Sequence, residues 1–107
     1  MLRIGLKVEE FEGRRNRMTT KAERDYMGRV ASLPCAVCGA EPVQLHHVRE
    51  GQGLSQRAQN WLVIPLCPSC HTGPRGIHGD KSVLRQIKKD EIDLLAETIG
   101  AMNAQTR

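Results

Sequence analysis

The chain has 107 residues, with 16 Lys and Arg against 12 Asp and Glu, a net charge of +4, and one each of Trp, Tyr and Phe. That length suits one domain with a small core and excludes two. The basic balance points to an anionic partner, nucleic acid first, and so few aromatics exclude stacking on splayed-out bases as the main mode, leaving the phosphate backbone.

Residues 1–18 are charged and lack a clean period; Gly13-Arg-Arg-Asn-Arg17 marks a basic, flexible arm suited to further phosphate contacts. The first residues contain no apolar h-region, and no stretch is long enough to span a membrane, so the expected location is the cytoplasm. Thr20-Lys-Ala-Glu23 has the form of a capping box and predicts a helix over 21–33, with Ala22, Tyr26, Val30 and Leu33 on one face and Pro34 beyond its end. Residues 43–48 read as a first strand and the polar, Gly-containing stretch 49–60 as a loop. The apolar, β-branched run 61–66 reads as a second strand. Pro68 suits the first turn of a short helix, which Gly73-Pro-Arg-Gly76 interrupts. Two further helices are expected over 81–88 and 91–102, the second burying a stripe of Ile92, Leu95, Ile99 and Met102.

Chemistry concentrates in the middle of the chain. Cys35/Cys38 and Cys67/Cys70 are two Cys-x2-Cys pairs, the spacing with which small intracellular domains grip one tetrahedral zinc ion. Gly39 permits the tight turn that aims the first pair. Two disulfides would instead require a secreted protein, which the N-terminal sequence does not suggest. Structural zinc would compensate for a thin core, because its binding contributes directly to folding. His46 and His47 lie between the pairs, and His71 follows the last cysteine. Neighbours on a strand point to opposite faces, so His46 and His47 cannot both ligate one ion from a regular strand. The competing readings are a purely structural histidine pair or extra ligands of the same zinc.

Strand, strand and helix, with His46-His47 on the first strand, Asn60 before the second and Leu66-Cys67-Pro-Ser-Cys70-His71 opening the helix, resemble the HNH endonucleases. Within that family the pattern is most like the phage and prophage nucleases of the recombination-enhancement type. The resemblance covers residues 34–80. It implies a small α+β protein with a ββα-metal (His-Me finger) core, a four-cysteine structural zinc site and flanking N- and C-terminal helices, forming one nuclease domain over 19–107 with its C-terminal helices in 81–107. Carried over, His47 would be the general base and Asn60 would steady the strand that carries it. His46 and His71 would hold the catalytic divalent metal (Mn2+, Ni2+, Co2+ or Mg2+). The family's last histidine would fall where Arg75 stands; His78, displaced by the interruption, takes that role in this reading, and Asp80 is the acid nearest the motif. Asn60 also stands two residues further from Cys67 than the family spacing. Arg49, Arg57, Arg75 and Lys81 are the expected phosphate contacts. The implied function is hydrolysis of DNA phosphodiesters in a bacterial host, with a recombination or packaging protein as a further partner. The alternative is a non-catalytic zinc module that binds DNA or protein on the same scaffold.

Overall fold

The computed structural model describes residues 19–54 and 56–105; the basic arm expected over 1–18 lies outside them. The described chain is a small α+β structure with the order α1 (Lys21–Ala31), β1 (Gln44–His47), β2 (Val63–Leu66), α2 (Pro68–Thr72), α3 (Ser82–Ile87) and α4 (Glu91–Gln105). No helix among the described residues is long and apolar enough to cross a membrane.

The capping box forms. Thr20 Oγ1 accepts from the Glu23 amide at 3.1 Å, and Glu23 Oε1 accepts from the Thr20 amide at 3.0 Å. Two otherwise unpaired donors at the start of α1 are thereby satisfied. The helix stops at Ala31, two residues before the expected end, with Ser32 as its C-cap. Its inner face carries Tyr26, Met27 and Val30, and Val30 is fully buried. Ala22 is exposed, whereas Glu23 is half-buried.

β1 and β2 pair antiparallel, with His46 opposite Ile64 and His47 opposite Val63. Both strands are shorter than expected. Trp61 stands outside β2, 41% exposed, with its ring 5.2 Å from that of Tyr26. All four residues of β2 are buried, because helices cover both faces of the two-stranded sheet. On one face Leu45 and Val63 meet Val30 of α1 and Met102 of α4. On the other Ile64 and Leu66 meet the cysteines, Ile77, Leu94 and Leu95. Each fully buried aliphatic side chain contributes about 1.5–3 kcal/mol through removal from water, so few such residues are available to hold this fold.

Of the stripe expected on α4, Leu95 and Met102 are buried, and Ile92 and Ile99 are corrected. Leu94, Leu95, Thr98 and Met102 are its buried residues, whereas Ile92 and Ile99 are 45% and 42% exposed. Apolar residues occupy two overlapping helical stripes, and the position of β2 selects the one containing Leu94. Thr98 tolerates burial because its hydroxyl donates to the Leu94 carbonyl at 2.9 Å.

Candidate metal centres

The first turn of interest is Cys35–Gly39. Gly39 has φ +80°, and its amide closes on the Cys35 carbonyl at 2.9 Å. The Val37 and Cys38 amides approach Cys35 Sγ at 3.4 and 3.5 Å. Burial favours the neutral Cys35 thiol, but the amides of Cys38, Cys67 and Val37 outweigh it and hold its pKa near 7. The sulfurs of Cys35, Cys38, Cys67 and Cys70 lie within 4.8 Å of one another, with Cys38 to Cys67 at 3.6 Å and Cys38 to Cys70 at 3.8 Å. Four sulfurs about 2.3 Å from one ion sit about 3.8 Å apart in a tetrahedron. The cluster therefore fits a zinc ion, and four thiolates leave no open position on it, the pattern of a structural rather than a catalytic site.

A second cluster lies on the His46 face of β1. Ligand nitrogens of His46, His71 and His78 are within 4.8 Å of one another, and the ring centroids are 4.8–5.3 Å apart. Three elements deliver them: β1, α2 and the loop after α2. That loop doubles back on α2, with the Ile77 amide on the Cys70 carbonyl and the His78 amide on the His71 carbonyl, both at 2.9 Å. Glycine makes the approach possible, since a methyl at Gly76 would lie 2.7 Å from the Cys70 carbonyl oxygen. The Gly-Pro-Arg-Gly interruption thus returns His78 to the cluster, while Arg75 points no imidazole there and is exposed.

Hydrogen bonds orient the rings. His71 Nδ1 lies 2.8 Å from Gln44 Oε1, which leaves Nε2 free. His46, only 1% exposed, places Nε2 2.5 Å from Glu91 Oε2, and its Nδ1 has no partner. Burial lowers the pKa of His46 despite the opposing pull of Glu91; His71 is lowered by burial and by the neighbouring His46 and His78. Both are thereby biased toward neutral imidazole, the form that ligates metal. Burial works against the Glu91 carboxylate, yet His46 and the Arg49 and Glu50 amides together hold its pKa below the ordinary value.

His47 faces away from this cluster, as strand alternation requires. Its Nε2 lies 3.0 Å from Asn60 Oδ1, and Asn60 Nδ2 lies 3.4 Å from Glu23 Oε1. Asn60 therefore holds the imidazole itself, and the cap residue of α1 holds Asn60.

Sequence reasoning missed Glu91, Gln44 and Glu23, which touch the site from outside the motif. Asp80, taken as the nearest acid, instead accepts from the Ser82 amide at 2.8 Å and is exposed; Glu91 is the acid in contact with a histidine of the cluster. Of the basic residues, Arg57, Arg75 and Lys81 are exposed. The Arg49 guanidinium is engaged by loop carbonyls, those of Gln56 and, at 2.9 Å, Gly53. A role in clasping the loop therefore accounts for Arg49 without nucleic acid.

No curated protein and no solved structure matches the chain. A family model does match it over residues 10–101, a span that contains both clusters, and the chain belongs to that family, described as protein of unknown function (DUF968).

Proposed function

We propose that this protein is a metal-dependent endonuclease of the HNH type, with β1, β2 and α2 as a ββα-metal core, hydrolysing DNA phosphodiester bonds. The observation that carries the reading is the divergence of two adjacent histidines: His46 gathers with His71 and His78, while His47 stands apart on Asn60.

The three histidines fit a divalent cation. His46 Nδ1 is buried without a partner, and leaving such an atom unsatisfied costs about 1–3 kcal/mol. Among the described residues no fourth protein ligand joins the three imidazoles, which matches a catalytic rather than a closed structural site, and imidazoles favour later first-row metals. A bound ion would neutralise charge on the phosphate and on the leaving oxygen. His47 donates its Nε2–H to Asn60, so Nδ1 is the nitrogen left to take a proton from water. Asn60 keeps that ring from turning. Exposed Arg57, Arg75 and Lys81 supply positive charge for the DNA backbone; Arg75 and Lys81 flank His78 in the chain. Zinc on the four cysteines would fix α2, and with it His71. The resemblance adds a phage or prophage setting in the bacterial cytoplasm and a recombination or packaging protein as partner.

The test is nicking of supercoiled plasmid with Mn2+, Co2+, Ni2+ or Mg2+, beside His47→Ala. The variant is expected to lose about 10²–10⁴ in rate while zinc content and DNA affinity stay at wild-type values. Wild-type protein that binds DNA but nicks with none of the four metals would instead support a non-catalytic zinc module.

A further inference from the structure

Glu91 lies 45 positions beyond His46, on a different element and outside the Cys/His motif. It opens α4, and its carboxylate has three partners. Oε2 meets His46 Nε2 and accepts from the Arg49 amide at 2.8 Å, while Oε1 accepts from the Glu50 amide at 2.9 Å. Two backbone donors therefore fix the carboxylate before the imidazole is considered. A carboxylate so fixed can only accept, so the His46 nitrogen facing it must carry the proton. That leaves Nδ1 bare, and Nδ1 is the buried atom with no partner. A second metal site built from His46, His71 and His78 needs a bare nitrogen on each ring.

We infer that Glu91 is the positioning residue of the histidine centre: it locks His46 in the Nε2–H tautomer and presents Nδ1 to a divalent cation. The inference rests on the reading of the three histidines as a metal site. It assigns to α4, otherwise a packing helix, a direct part in that site. Carboxylate partners of this kind fix the ring orientation of ligating histidines and raise their basicity. Gln44 does the equivalent for His71 with a neutral oxygen. Among the described residues His78 has no such partner, and Glu91 is the one charged group that holds a ring of the cluster.

The test uses zinc-loaded protein titrated with Co2+, whose visible absorption reports the number and geometry of its ligands. Wild type is expected to take up one Co2+ beyond the zinc. Glu91→Ala is expected to bind Co2+ about 10–100-fold more weakly, with an altered visible spectrum. Because Glu91→Ala also removes partners of two backbone amides, Glu91→Gln provides the second arm. It keeps an acceptor and the side-chain shape, and its affinity is expected between wild type and Glu91→Ala, with the wild-type spectrum restored. A merely structural role would lower the unfolding midpoint and leave the spectrum and affinity of the folded protein unchanged. Folded, zinc-retaining Glu91→Gln and Glu91→Ala with wild-type Co2+ affinity would overturn the inference alone. Wild type that takes up no Co2+ beyond the zinc would overturn the metal-site reading and this inference together.

Discussion

A methyl group at Gly79 separates the two clusters experimentally. Built on this backbone, its Cβ would lie 2.4 Å from the carbonyl oxygens of both Gly73 and Pro74, and 2.8 Å from the Pro74 carbonyl carbon. Ordinary contact begins near 3.4 Å, so about 1 Å of movement is required. Both obstacles are backbone, so no side-chain rotation relieves them. The loop must shift, and His78 precedes Gly79 directly. Metal–ligand distances tolerate about 0.2 Å, so a shift of that size removes His78 from any shared ion. Misplacement of a reacting constellation by about 1 Å costs on the order of 10² in rate. The stability cost of such overpacking is about 1–3 kcal/mol, below the about 5–15 kcal/mol that holds a typical domain together. Gly79→Ala is therefore expected to fold, keep zinc on its four cysteines, bind Co2+ at least tenfold more weakly and nick plasmid about 10²-fold more slowly. Zinc content, Co2+ titration and the plasmid assay on one preparation check this. A folded Gly79→Ala with wild-type Co2+ affinity and rate would refute the claim that the return of the loop builds the site.

Cys38→Ser or Cys67→Ser is expected to lose stoichiometric zinc and cooperative unfolding, since structural zinc binding is worth about 10–16 kcal/mol in small domains; metal analysis and thermal unfolding decide it, and an unchanged melting temperature would count against the zinc assignment. Stability is expected to fall with acid. The folded-state pKa values of His46 and His71 lie below the ordinary one, so the unfolded chain takes up more protons as pH drops through about 6.5. Glu91, also lowered, adds a further loss in the carboxylate range below about 4.3. Denaturant melts from pH 8 down through the carboxylate range, with zinc content followed in parallel, measure this, and stability rising as the pH falls through about 6.5 would contradict burial as the dominant influence on the histidines. Mn2+, Co2+ or Ni2+ is expected to support nicking better than Mg2+ at equal free concentration, because imidazoles suit the former and Mg2+ prefers oxygen; activity with Mg2+ and none with Mn2+ would point to oxygen ligands missing from the histidine cluster.

Several features were legible in the sequence because short-range rules govern them. Thr20 and Glu23 cap α1 through partners three residues apart, and Gly39 makes the knuckle turn by its own backbone freedom. Cys-x2-Cys spacing brings two sulfurs together locally, and strand alternation alone sends His46 and His47 to opposite faces. What tertiary structure decided lies in contacts between distant segments. Glu91 meets His46 from 45 residues away and Glu23 meets Asn60 from 37, and neither pair has a periodicity or spacing that would announce it. The same applies to Ile92 and Ile99. Helical period locates an apolar stripe on α4, and Leu95 and Met102 of that stripe are buried, but the packing against β2 takes Leu94 and Thr98 as the other buried positions in place of Ile92 and Ile99. His78 stands between these cases. Its neighbouring glycines were visible as an interruption, yet only the packing of α2 carbonyls against Gly76, and of the Gly73 and Pro74 carbonyls against Gly79, shows that the interruption folds back toward His46 and His71.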